Sequence, residues 1–191
     1  PSALAVKAED YPLSLPMYLL TPKRRLPLFV REFLTFLDTP QAQAVVAAAG
    51  WIDRQPERQP LTGDGLRLIN AIQGAGEQTT LADLKRLADT MNGADRLSLT
   101  FRFQDGSSQL DAHSRDNLGD LARLIEVGVF RDHALVLAGF SDGSGAAAAN
   151  LALSQSRAEG VLAGLAQAGV AEAALPQVMA FGEAMPMACD E

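Results

Sequence analysis

Apolar and polar residues follow two rhythms along this 191-residue chain. Leu26, Phe29, Val30, Phe33, Leu34 and Leu37 recur at i, i+3, i+4, i+7, i+8 and i+11, the stripe of an amphipathic helix. Thr39-Pro40 reads as an N-cap with proline at the first helical position, opening a shorter stripe of Ala42, Val45, Val46 and Ala49 that Gly50 stops. Ahead of both, Tyr11 to Pro16 is too proline-rich for a central strand, and Met17 to Leu20 is expected as a short edge strand. Residues 53–78 hold no strong period and read as linker or loop. Thr80 and Asp83 resemble a capping box that starts a helix bearing Leu81, Leu84, Leu87 and Met91, ended by Asn92-Gly93.

From there the pattern becomes regular. Leu97, Leu99, Phe101 and Phe103 alternate with polar residues, which predicts a strand with one buried face. Leu118, Leu121, Ala122 and Ile125 predict a helix closing near Gly128. The continuous apolar run Ala134 to Ala138 suits a strand covered on both faces. A glycine-punctuated turn, Gly139 to Gly145, leads into a long helix through Leu151, Ala158, Val161, Leu162 and Leu165, and Gln177 to Phe181 offers a last strand. This β-α-β-α-β order predicts an α/β sandwich with helices on one face of a sheet.

Composition narrows the function classes. Hydrophobic residues make up 48% of the chain, enough for a packed core, and the net charge of -7 argues against a general nucleic-acid binder. The longest apolar runs, such as Ala134 to Phe140, fall short of the roughly 18–20 residues that cross a bilayer. One cysteine, Cys189, excludes an intrachain disulfide framework and a multi-cysteine zinc site. His113 lacks a second ligand at i+3 or i+4 and reads as a surface helix residue, so neither a metal nor a cofactor is expected. No signal-peptide pattern follows Pro1, and a signal peptide, if the protein has one, is expected outside these residues. The charge is uneven: residues 1–60 carry +1 and residues 61–191 carry -8. From His133 onward Arg157 is the lone cation against six carboxylates.

Three chemistries compete for the turn after the apolar run. Gly139-Phe140-Ser141-Asp142-Gly143 fits G-x-S-x-G in a strand-turn-helix setting, but no histidine follows Ser141 to act as its base. A hydrolase is therefore set aside, and an enzyme is not expected. A phosphate loop fails because neither G-x-x-x-x-G-K-[ST] nor G-x-G-x-x-G is present. What remains is a carboxylate and a guanidinium bracketing one turn: Asp142 after the strand, with Asn150, Ser154 and Arg157 at i, i+4 and i+7 on one helix face. A zwitterion with ammonium and carboxylate on one carbon would suit them, Asp142 accepting from the ammonium and Arg157 clasping the carboxylate. The plainer alternative is that Asp142 caps the helix and Arg157 bridges to a nearby acid.

The stretch Gly139-Phe140-Ser141-Asp142 … Gly145 … Asn150 … Leu153-Ser154 … Arg157-Ala158 resembles the signature G-H-T-D-x-x-G-x4-N-x2-L-S-x2-R-A of the OmpA-like, peptidoglycan-associated domain family, every interval matching. Phe101-x-Phe103 with Gly106-Ser107-Ser108 and Leu110 resembles that family's first strand and turn, and Phe181-Gly182-Glu183 with Pro186 resembles its G-E-x-x-P close. The resemblance covers residues 96–191 and implies a β-α-β-α-β domain on a mixed sheet. It implies binding of the diaminopimelate of the peptidoglycan stem peptide by Asp142 and Arg157, with Asn150 close by and Ser141 in the turn. Phe140-Ser141 replaces the family's His-Thr. The family's final strand, with its N-R-R-V-E-like motif, is not reached by Glu191, so the domain is expected to be truncated.

The front segment, Tyr11-Pro12-Leu13-Ser14 … Tyr18-Leu19, Phe33 to Leu37, Gln43 and Ala49-Gly50-Trp51-Ile52, resembles the C-terminal end of phosphate-type periplasmic substrate-binding proteins of ABC transporters. The expected organisation is therefore 1–60 as a mainly helical fragment of such a lobe, 61–95 as linker plus helix, and 96–191 as the OmpA-like domain. The implied function is non-covalent anchoring of an envelope protein to peptidoglycan, in the periplasm of a Gram-negative bacterium and associated with its outer membrane. The other reading is a solute-binding or sensing protein whose OmpA-like domain contacts other envelope proteins.

Overall fold

The computed structural model describes residues 2–9, 11, 13–61, 69, 73, 79–104, 107–143 and 145–184. The chain divides into two compact units, one of Pro1–Arg58 with Leu97–Leu99, the other of Gln59–Arg96 with Thr100–Glu191.

In the first unit, α1 (Ala3–Lys7) is capped by Ser2, whose side chain accepts from the Ala5 N–H. The helices α2 (Leu28–Leu37) and α3 (Pro40–Ala48) form where their stripes predict them. Thr39 caps α3 by accepting from the Ala42 N–H, and Gly50, at φ +84°, supplies the left-handed residue that ends it. Two expectations fail here. Met17 to Leu20 form no strand, because no other described strand pairs with them, and Leu20 is 91% exposed. The α2 stripe likewise closes on no core: no residue of that helix is buried.

Polar bonds tie this unit together instead. Gln43 donates through Nε2 to the Leu37 carbonyl and accepts at Oε1 from the Arg54 N–H, both at 2.7 Å. Lys7, 7% exposed, places Nζ 3.0 Å from Asp53 and 2.8 Å from Glu57, and donates to the Gln55 carbonyl at 2.8 Å. Burial pushes the Asp53 carboxyl up, but the Lys7 hydrogen bond, the Gln55 N–H and the Lys7 charge outweigh it and hold the carboxyl below its ordinary range.

The stretch read as linker contains a strand, β1 (Arg58–Pro60), which pairs with β2 (Asp95–Leu97) in a two-stranded sheet. Residues 62–68, 70–72 and 74–78 of that stretch lie outside the described residues.

The second unit opens with α4 (Leu81–Met91), whose capping box is complete. Thr80 Oγ1 and N–H both donate to Asp83, and the Thr80 hydroxyl holds that carboxyl below its ordinary range. After β2 come α5 (Ala112–Glu126), β3 (Val136–Gly139), α6 (Ala147–Gln167) and β4 (Gln177–Ala180). β3 and β4 are parallel, Val136 opposite Gln177 and Gly139 opposite Ala180, so α6 is the crossover helix of a β-α-β unit. It lies on both strands, with α5 along its other flank. Leu121 and Ala122 of α5 and Ala158, Val161 and Leu165 of α6 are buried in the core, and a satellite cluster joins Leu87, Phe181 and Ala184.

Among the described residues the expected single mixed sheet is not formed. β1–β2 and β3–β4 are separate pairs, and the strand expected over residues 97–104 survives as β2 and one antiparallel bridge, Phe103 to Leu110. The reason is polar. The Thr100 carbonyl accepts from Asn117 Nδ2 at 2.9 Å and the Arg102 N–H donates to Ser114 Oγ at 2.7 Å, so side chains of α5 occupy groups a ladder needs. β3 is also less covered than its apolar run suggests, Val136 being 42% exposed.

Gly139 sets the spacing of the β-α-β unit. A Cβ there would lie 2.3 Å from the Ser154 carbonyl oxygen, closer than any real contact. Gly139→Ala is expected to cost about 1–3 kcal/mol of unfolding free energy in a urea titration of the chain, as overpacking does; an unchanged midpoint would refute this packing. In the first unit, a depressed Asp53 contributes stability in full above the unfolded value, near pH 4, and loses it as pH falls through the lower folded value. Asp53→Asn should therefore flatten the acid limb of the stability profile below about pH 4. A limb as steep as that of the parent chain would count against the Lys7 pairing.

Candidate ligand-binding turn after strand β3

β3 delivers the chain to Phe140, Ser141 and Asp142, and a knot of hydrogen bonds holds that turn under α6. The Phe181 N–H donates to the Gly139 carbonyl at 2.9 Å, and the Ser141 N–H to the Gly182 carbonyl at 2.8 Å. The Gly182 N–H donates in turn to Ser154 Oγ at 3.1 Å, and the Ser154 hydroxyl donates to the Leu151 carbonyl at 2.8 Å. Gly182 takes φ +55°, and a Cβ there would come within 3.2 Å of the Leu151 nitrogen, so glycine suits both the turn and the approach. One step on, Asn150 Nδ2 donates to Glu183 Oε2 at 2.9 Å in a fully buried bond, while Thr79 Oγ1 donates to Glu183 Oε1 at 3.4 Å.

Asn150, Ser154 and Ser141 are thus brought together in this knot, buried at 4%, 0% and 7% exposure. Asn150 reaches it by bracing Glu183, with its amide nitrogen already committed. The Ser141 hydroxyl is buried and has no hydrogen-bond partner among the described residues. Asp142 stands next to it, on the exposed side of the turn.

Arg157 follows Ser154 by three residues on α6, half-buried. Its guanidinium carbon lies 5.1 Å from the centroid of the Phe103 ring, and its Nε is buried without a hydrogen-bond acceptor. No carboxylate among the described residues pairs with it, and no ion pair joins it to Asp142. Of the plainer alternative, the arginine half is absent: Arg157 bridges to no acid among the described residues, while the N-cap position of α6 is Ala146, which makes no side-chain cap bond of its own. Asp142 is three residues past Gly139, at most about 11 Å along an extended chain, and Gly139 lies directly beneath Ser154 and Ala158.

Phe140, where the signature has histidine, packs rather than bonds. Its ring stacks on Phe181 at 5.5 Å and 21°, and Arg86 lies 5.5 Å over the other partner while donating to the Ala180 carbonyl at 3.0 Å. The Phe103 contact is the element that sequence reasoning missed: alternation marked Phe103 as a buried strand residue, and nothing in the spacing links it to Arg157.

Residues 102–191 match the OmpA family. This stretch is an OmpA family domain. Among solved structures the chain is similar to the peptidoglycan-associated lipoprotein from Burkholderia pseudomallei, with 27% identity over 42% of this chain and a TM-score of 0.36. The similarity spans 64% of that lipoprotein, a little under two thirds of its length. No curated protein gives a significant match. The family match begins at residue 102, so the resemblance of the first sixty residues to a phosphate-type binding protein gains no support from it.

The buried Asn150–Glu183 bond makes a direct forecast for the OmpA family domain. Asn150→Ala removes the donor and leaves a buried carboxyl short of a partner, and chemical denaturation should show a loss of about 2–3 kcal/mol. A loss below about 0.5 kcal/mol would mean that Glu183 finds another donor.

Proposed function

We propose that the OmpA family domain binds peptidoglycan without covalent chemistry, by clasping the zwitterionic end of diaminopimelate in the stem peptide. Asp142 accepts from the ammonium, and Arg157 holds the neighbouring carboxylate in its two-pronged fork. Ser141, whose hydroxyl is unpartnered beside Asp142, supplies a further hydrogen bond, and Asn150 holds the turn through Glu183. The observation that carries this reading is Arg157: a half-buried guanidinium laid over the Phe103 ring with no carboxylate partner among the described residues. A charge partly withdrawn from water is costly to leave without an anion, and an external carboxylate at the open Nη side of the guanidinium supplies one.

Two charge-assisted contacts of about 1.5–3 kcal/mol each give an affinity on the order of millimolar. A weak site suffices when the ligand is a polymer that presents it repeatedly at high effective concentration. The protein then acts as an anchor that holds an envelope component of a Gram-negative bacterium on its wall. No helix among the described residues is long and apolar enough to cross a membrane.

Calorimetric titration with a diaminopimelate muropeptide tests the assignment. Asp142→Ala and Arg157→Ala should each weaken binding at least about tenfold, the worth of one charged hydrogen bond. A muropeptide with lysine at the third position keeps the ammonium but lacks the carboxylate, and should lose the Arg157 share alone. Equal affinity of the parent and both variants would sink the clasp.

A further inference from the structure

Phe103 lies on a segment whose backbone is pinned on both sides. The Gln104 N–H donates to the Gln109 carbonyl at 2.9 Å, and the Asp111 N–H to the Arg102 carbonyl at 3.1 Å, closing the hairpin whose one bridge is Phe103 to Leu110. The Arg102 N–H is held by Ser114 Oγ at 2.7 Å, and Ser114 is wholly buried at the start of α5, where Asp111 caps the helix by accepting from the Ser114 N–H. The ring facing Arg157 therefore hangs from α5, while Arg157 itself hangs from α6.

We infer that Phe103 is a positioning residue for ligand binding, fixing the Arg157 guanidinium over its ring so that the N–H donors stay free for an incoming carboxylate. The inference rests on the clasp reading of Arg157. Its physical basis is the choice of partner. A carboxylate from the chain would hold Arg157 in place but occupy its fork. An aromatic ring attracts the cation through its quadrupole and supplies no lone pair, so it restricts the side chain without consuming donors. An arginine side chain left free would have to be ordered by the ligand, at the expense of affinity.

The test uses the full chain and two readouts. In the free protein, the Arg157 Hε resonance should be shifted by the ring current of Phe103, and Phe103→Leu should abolish that shift while Phe103→Tyr keeps it. With the diaminopimelate muropeptide as probe, Phe103→Leu should weaken binding roughly 3- to 30-fold, the range of a cation–π contact from exposed to desolvated. Phe103→Tyr should bind within about twofold of the parent, since the ring is retained. Added to Arg157→Ala, Phe103→Leu should have no further effect. If Phe103→Leu binds like the parent while Arg157→Ala does not, the positioning role is wrong and the clasp stands. If the parent itself does not bind, both fall. If Phe103→Leu proves unfolded, Phe103→Tyr together with the Hε shift of the parent decides: an Hε at its ordinary position overturns the contact.

Discussion

The close approach of α6 to the end of β3 is the constraint on which the rest of the domain depends. Gly139 has no room for a Cβ beneath the Ser154 carbonyl, and that absence lets the helix descend until Ser154 Oγ meets the Gly182 N–H. Three consequences follow from one missing methyl group. The parallel β3–β4 pair is bonded through to its last residues, with Phe181 donating to Gly139. The Ser141 N–H is bound to Gly182, so the turn bearing Asp142 leaves the sheet in a fixed direction. Arg157, one turn beyond Ser154, is carried to the same end of the sheet.

What could be read from the sequence was the local part. Thr39-Pro40 and the Thr80–Asp83 box are complete within four residues, so they need no tertiary partner to form, and both caps are present in the structure. The long helix was legible from Ala158, Val161 and Leu165, which it buries, although Leu151 of the same expected stripe is 40% exposed and the buried face continues through Ser154 and Asn150 instead. The signature spacing pointed to the residues of the knot for the same reason: it is the spacing of one helix face against one turn.

What could not be read depended on competition between distant groups. Leu97 to Phe103 alternates as well as any strand, but alternation says nothing about Ser114 and Asn117, which take its backbone groups for α5. The α2 stripe is amphipathic by any measure, yet a stripe states only what a helix would bury given a partner. Phe103 illustrates the same gap at the site: fifty-four residues separate it from Arg157, and the contact exists only because a hairpin and two helices converge.

The chain also provides its own comparison for how to read Arg157. Lys7 is a structural cation: it is nearly buried, and two carboxylates and a carbonyl surround its ammonium. Arg86 is a second kind, bonded to the Ala180 carbonyl and lying over Phe181 at the margin of the small core cluster. Both follow the rule that a charge taken from water is given internal acceptors. Arg157 departs from it. It lies over a ring, as Arg86 does, but has no acceptor at its buried Nε and no carboxylate partner among the described residues. A partly desolvated guanidinium with no internal anion carries an electrostatic cost that Lys7 and Arg86 avoid, and an anion at its open Nη side would reduce that cost.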